Sequence, residues 1–185
     1  MDNIILAMHR RQLLQQLIQY HPQSKAEQRI INRLSCFVSQ HDRCFDRELE
    51  VGHITGSAWL VNHVGDKVLL THHRKLNIWC QLGGHCDGQS NTVEVARQEA
   101  VEESGIRHIK LFSDQIFDVD IHLIPERPGE PEHSHYDIRY IFQLTEPADF
   151  VISDESNELR WVSYQESMAL ELDASVRRMF QKWRE

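Results

Sequence analysis

Along the first 40 residues, apolar positions recur at helical spacing. Ile4, Ile5, Met8, Leu13, Leu14, Leu17 and Ile18 approximate one stripe, which stops at His21-Pro22, where proline disfavours continuation. Ser24, followed three residues later by Glu27, has the form of a capping box ahead of Ile30, Ile31, Leu34, Phe37 and Val38. The pattern predicts a helical hairpin. Its first use is to cover a core, and a substrate lid or a dimer surface are the alternatives.

From His53 the period shortens to two. Ser57 to Asn62 and Lys67 to Thr71 read as strands around a turn at His63 to Asp66, marked by Gly65. Phe117, Val119, Ile121 and Leu123 alternate with Asp118, Asp120 and His122, which describes a strand buried on one face. In the next run Tyr136, Ile138, Tyr140, Phe142 and Leu144 point one way, while His133, His135, Asp137 and Arg139 point the other. Pro125 to Glu132 joins these two strands as a polar loop. Leu159, Trp161 and Val162 suggest a last strand, and Met168 to Trp183 holds helical segments with a restart at Asp173 or Ser175.

Between the second strand and the Phe117 run lies the segment with the most chemistry, GGHCDGQSNTVEVARQEAVEESGI, from Gly83 to Ile106. It follows the apolar stretch Ile78 to Leu82. Asn91 and Glu94 form another capping box, which predicts a helix starting near Thr92, and Gly105 can take the left-handed conformation that ends it at Ser104. At about 100° per residue, Glu99, Glu102 and Glu103 share one face of that helix within a single turn. Like charges so placed cost a helix roughly 0.2–0.5 kcal/mol per pair, and only Arg107, beyond the glycine, offers a basic partner at helical spacing. The plain reading is a solvated acidic face. The alternative is a site for a hard divalent cation, because crowded carboxylate oxygens suit Mg²⁺ or Mn²⁺.

The strand, glycine loop and carboxylate helix together resemble the Nudix hydrolase family, whose box reads G-x5-E-x7-R-E-U-x-E-E-x-G-U with U aliphatic. Gly84, Glu99, Glu102, Glu103, Gly105 and Ile106 match it, and Ala100 takes the first U position. Ser90 stands where the family has its first Glu, and Gln98 where it has Arg. The resemblance implies an α/β fold, a Nudix-type α/β/α sandwich with a mixed sheet, here with the N-terminal helical hairpin added. It also implies that the Gly83 carbonyl and Glu99, Glu102 and Glu103 hold Mg²⁺ or Mn²⁺, and that a diphosphate is cleaved by water. Gln98 can supply hydrogen bonds but no charge to these glutamates. Arg97 is one position off and does not replace the missing arginine.

A base for the attacking water is expected on a late loop, at Glu158 first and Glu155 second, with Asp118, Asp120 and Glu132 behind them; Glu102 or Glu103 are the alternatives within the helix. Arg74, Lys75 and Arg139 are candidate phosphate contacts. Twelve histidines form a second signal, and His53, His72, His73, His85, His122, His133 and His135 lie in or beside the strands. Within the superfamily, isopentenyl-diphosphate isomerases are similar around their metal-binding histidines. HITGSAWLV places His53, and GGHC places His85, in like contexts. The similarity implies a second metal site at His53 and His85, with His133 or His135 as further ligands. It does not extend to the isomerase cysteine, whose place here is taken by Gly83. Hydrogen bonding to substrate or to carboxylates is the other reading of these histidines.

Composition narrows partners and compartment. The net charge is −8, from 20 basic and 28 acidic residues, which argues against a nucleic-acid polymer as partner. No segment approaches 18 uninterrupted apolar residues, and the N-terminus meets Arg and Gln too soon for a signal peptide, so no membrane association and a cytoplasmic location are expected. Cys36, Cys44, Cys80 and Cys86 form no C-x-x-C pair, so reduced thiols are the default. A division at 1–45 for the helical extension and 46–185 for a Nudix domain follows, with a small-molecule diphosphate substrate and a homodimer as a possible assembly. The expected activity is a divalent-metal-dependent Nudix hydrolase, a pyrophosphohydrolase acting on phosphoric anhydrides. The alternative is a catalytically weakened ligand-binding regulator of the same fold.

Overall fold

Strand β1 (Gly52–Val61) is buried along its whole length and forms the middle of the sheet. It pairs in parallel with β7 (His133–Leu144), in register from Gly52 opposite Ser134 to Val61 opposite Gln143. Its other partners run antiparallel: β2 (Lys67–His73) near its end and β4 (Leu82–His85) along its middle. Strand β2 carries β3 (Trp79–Cys80) and β8 (Ser156–Ser163), while β7 carries β5 (Ile109–Leu111) and β6 (Asp118–Ile124). This is a computed structural model, and it describes residues 2–127, 129 and 131–184, with side chains from residue 9 onward. Residues 128 and 130 of the expected polar loop, and the side chains of Ile4, Ile5 and Met8, lie outside that description.

Alternation along the strands sorts their side chains onto two apolar layers. Ile54, Ala58 and Leu60 of β1, with Ile138, Tyr140 and Phe142 of β7, pack against Val95, Ala96 and Ala100 of helix α3 (Thr92–Ser104). The same cluster takes Leu13 and Leu17 from α1 (Asp2–Gln19) and Ile31, Leu34, Phe37 and Val38 from α2 (Lys25–Gln40), so the helical hairpin shares this core. Phe37 stacks on Tyr136 with ring centroids 3.8 Å apart. On the other face, Trp59, Val61, Val68, Leu70 and Val162 meet Val176, Met179 and Phe180 of α5 (Ala174–Arg184). The result is the expected α/β/α arrangement. Ile18, expected in the α1 stripe, is instead 82% exposed, because among the described side chains of α1 it is Leu13 and Leu17 that turn fully inward.

Local chemistry sets the helix ends. Ser24 Oγ accepts from Glu27 N at the start of α2, and Asn91 Oδ1 accepts from Glu94 N at the start of α3. Gly105, with φ of 73°, ends α3 in the left-handed conformation. Near the C-terminus the chain forms a one-turn helix, α4 (Tyr164–Ser167), before Asp173 Oδ1 accepts from Val176 N and opens α5. The apolar stretch Ile78 to Leu82 divides into β3 and β4, and β5 has no counterpart among the expected strands.

On the α5 face, polar side chains of β6 and β7 are buried together. Asp118, with no solvent exposure, accepts from Arg139 Nη1 at 3.0 Å, Arg178 Nε at 2.9 Å and Lys182 Nζ at 2.6 Å. Glu27 of α2 joins the group through Lys182 at 3.1 Å. Burial pushes the Asp118 carboxyl up, but the Arg178 hydrogen bonds and the Arg139 and Lys182 charges outweigh it and hold the group below the usual aspartate range. A lowered folded pKa means stability present above the unfolded value and lost as the pH falls through the folded one. Asp118→Ala removes the buried acceptor that Arg139, Arg178 and Lys182 share, so a loss of about 3–5 kcal/mol at neutral pH is expected from urea unfolding. That difference between parent and variant should shrink as the pH drops below about 4.

Candidate functional site

The three glutamates of α3 sit in three different environments. Glu103 is buried, and its Oε1 accepts from the backbone N–H of Gly83 at 2.8 Å. Glu99 lies half-buried against the backbone of Gly84, and a Cβ on that glycine would stand 2.6 Å from Oε1 of Glu99. Glu102 is exposed and accepts from Gln98 Nε2 at 2.7 Å. The helix thus lays two carboxylates onto β4 and leaves the third at the rim. Arg97 is committed to Glu94 on the outer side of the helix, so it does not stand in for an arginine at position 98.

Strand β4 reaches this position by close approach to β1. A Cβ on Gly83 would fall 2.2 Å from Ser57 Oγ, so only glycine lets the strands pair as they do. Ser57 Oγ donates to Asp137 Oδ1 at 2.7 Å, Thr55 Oγ1 donates to the same oxygen at 2.9 Å, and Gln81 Nε2 donates to Asp137 Oδ2 at 3.1 Å. The turn after β4 is held from outside: Gly88 N–H donates to Phe45 O at 3.0 Å, and Arg47 pairs with Asp87 through two hydrogen bonds.

Electrostatics mark the carboxylate pair. Burial, and after it the charges of Glu102, Glu155 and Asp87, push Glu99 up to about 7. Burial pushes Glu103 up to about 8, with Glu99, Glu155 and Glu102 adding to it against the Gly83 hydrogen bond, which lowers it. The two carboxylates are crowded by one another and by their acidic neighbours. Glu99, Glu102, Glu103 and the neighbouring backbone form an oxygen-only donor set, and the cradle at Gly84 that a methyl group would fill is part of it. The set fits a hard divalent cation.

The other expected residues divide. Glu155 acts on both Glu99 and Glu103 through its charge, whereas Glu158 holds Arg160 at 2.6 Å and 2.9 Å. Arg74 and Lys75 are exposed on the turn between β2 and β3, and that turn is tied to the same loop as Glu155: Arg74 N–H donates to Glu155 O at 2.9 Å and Nη2 to Ser156 O at 3.1 Å. Arg139, expected as a phosphate contact, is fully buried among Asp118, Asp120 and Asp137, and its guanidinium serves the interior. His53, His85, His133 and His135 converge on the face away from α3, with His122 beside His135. Burial and mutual repulsion lower His53 to about 4 and His135 to about 2, so both rings are neutral near pH 7. Arg47 and Gln81 escaped sequence reasoning, because neither lies in a motif and both act through long-range contacts.

Comparison with known proteins bears on this geometry. The sequence model of the NUDIX domain matches residues 53–183. A search of curated proteins found no match. The fold is similar to that of a C. elegans Ap4A hydrolase in a binary complex, at 15% identity and a TM-score of 0.57, over 71% of this chain and 94% of that one. A NUDIX-family hydrolase from Clostridium perfringens is 26% identical at a TM-score of 0.55, over 71% and 96%. The NUDIX domain of Shewanella oneidensis NrtR, complexed with ADP ribose, is 14% identical at a TM-score of 0.54, over 81% and 96%.

Two outcomes follow from the site itself. Glu99 and Glu103 must ionise to ligate a cation, so Mn²⁺ affinity rises as the pH increases through 7 and 8, with protons released on binding. Calorimetry in two buffers of different ionisation enthalpy reads both effects. Gly84→Ala displaces the Glu99 carboxylate rather than backbone, so Mn²⁺ binding should weaken by about tenfold or more while the thermal midpoint stays put.

Proposed function

Since the chain belongs to the NUDIX domain family, we propose that it is a divalent-metal-dependent hydrolase cleaving the diphosphate linkage of a small organic pyrophosphate, such as a nucleoside diphosphate derivative. The observation that supports this most is the seating of Glu99 and Glu103 on the Gly83–Gly84 backbone, with Glu102 at the rim. Oxygen donors alone favour Mg²⁺ or Mn²⁺, with the Gly83 carbonyl as the backbone contribution. Such an ion, when bound, offsets diphosphate charge and lowers the pKa of a nearby water.

The protein's own groups supply the remaining functions. Glu155 takes the proton from the attacking water: it is the loop acid whose field reaches both Glu99 and Glu103, and no salt bridge holds its carboxylate among the described residues. The water oxygen bonds to phosphorus, the anhydride P–O bond breaks, and the leaving phosphate carries the bond's electron pair. Arg74 and Lys75, on the turn hydrogen-bonded to the Glu155 loop, offset phosphate charge. Gln98 orients Glu102 by a neutral hydrogen bond, which is weaker than one from a guanidinium. Four free thiols support a reducing compartment, the cytoplasm.

Gln98 also favours a second reading, in which the domain binds a diphosphate ligand without turnover, as a regulator would. Product analysis separates the two on a panel of nucleoside triphosphates, dinucleoside polyphosphates, nucleotide sugars, dinucleotide cofactors and prenyl diphosphates with Mg²⁺ or Mn²⁺. Turnover by the parent and none by Glu103→Gln is the expected result, with Glu155→Gln lowering kcat by about 10²–10⁴-fold. Unchanged turnover in Glu103→Gln would sink the carboxylate assignment. Ligand binding without turnover in the parent would instead establish the regulator.

A further inference from the structure

The face of the sheet turned away from α3 carries imidazoles that the carboxylate site does not use. Register sets His53 of β1 beside His135 of β7 and His122 of β6 on the far side of His135. His85 of β4 lies opposite Thr55, so alternation along β4 directs it to this face while Gly84 faces Glu99. The ring of His53 lies 5.0 Å from that of His85 and 4.7 Å from that of His135, and the rings of His85 and His135 are 5.0 Å apart. One ligand nitrogen from each of the three lies within 4.8 Å of the other two.

His53 makes this grouping more than a chance meeting of rings. It is 2% exposed, and neither Nδ1 nor Nε2 has a hydrogen-bond partner. A neutral imidazole has one donor and one acceptor, and buried polar groups of this kind are almost always satisfied. The rings packed against it are the imidazoles of His85, His133 and His135. An aliphatic residue at position 53 would have filled the space without an unmet polar atom.

We propose that His53, His85 and His135 form a site for a divalent transition-metal ion of the zinc class. Imidazole nitrogen favours zinc and its neighbours over Mg²⁺ and Ca²⁺, which prefer oxygen. Metal–nitrogen distances near about 2.0–2.1 Å need the three nitrogens closer together than their present spread, a change within the reach of side-chain rotation. His133 stands behind His135, Nε2 to Nε2 at 3.1 Å, and its Nδ1 is bonded to Pro131 O at 2.8 Å. It positions His135 in the way outer hydrogen-bonding partners position metal-bound histidines. Three neutral ligands leave a fourth position for water or an anionic oxygen. The site needs none of the glutamates, so it stands or falls apart from the hydrolase reading.

The test uses the whole chain, stripped with chelator and dialysed against Zn²⁺ in excess Mg²⁺, with bound metal counted by mass spectrometry. One equivalent of Zn²⁺ is expected in the parent and in a Glu99→Gln/Glu103→Gln double variant. His85→Gln and His135→Gln, both at partly exposed positions, should each weaken it by about tenfold or more with unchanged circular dichroism. Zinc that Mg²⁺ displaces, that the glutamate variant abolishes, or that both histidine variants keep at full affinity would overturn the site. If the histidine variants fail to fold, Co²⁺ in the parent decides. Intense visible bands of a four-coordinate nitrogen site support the proposal, and the faint bands of octahedral oxygen coordination refute it.

Discussion

A carboxylate with no access to water, Asp118, is the point on which the arrangement of this protein turns. Removing an aspartate from water is tolerable only with several cationic partners in good geometry. They come from β7 as Arg139 and from α5 as Arg178 and Lys182. The partners are themselves shared: Lys182 also holds Glu27 of α2, and Arg139 also holds Asp137. From Asp137 the chain of contacts passes to Ser57, across the close approach of Ser57 and Gly83, and ends on Glu103. The register of the parallel β1–β7 pair therefore has a direct line to the seat of the carboxylates. A slip of one residue would place Asp137 and Arg139 in the apolar layer and break that line.

The same line accounts for what could and could not be read from the sequence. The helix α3 was legible to its ends, because a capping asparagine and a left-handed glycine act within a few residues of the peptides they satisfy. The alternation in β6 and β7 was legible for a similar reason, since a sheet with one apolar face imposes a period of two. The role of Arg139 was not legible. Its position on the polar side of β7 fits a phosphate contact as well as an interior ion pair, and only α5, some 40 residues later, decides between them. The pairing of Glu158 with Arg160, both within β8, was equally hidden, because alternation along a strand does not show it. The histidines stood between these cases: their meeting rests on His53 and His135 being level, a register that no local signal specifies.

The departures at positions 90 and 98 also find a physical setting. Within α3 itself no guanidinium pairs with Glu99, Glu102 or Glu103, since Arg97 serves Glu94 and Gln98 brings only a neutral amide to Glu102. The acidic field on Glu99 and Glu103 is thus little offset by the helix itself. Ordering of the loop before α3 comes from elsewhere, through the Arg47–Asp87 pair and the Phe45 carbonyl.

Those last two contacts bear on where the molecule begins as a physical object. The family match opens at residue 53, yet the backbone of Cys44 accepts from Ile54, that of Phe45 accepts from Gly88, and Arg47 clasps the loop at Asp87. Cys44 and Phe45 belong to the same apolar layer as α3. The unit that heredity recognises and the unit that folds are therefore different lengths of chain. The segment 41–51 acts as a collar on the glycine loop, so residues outside the shared motif take part in holding that loop in place.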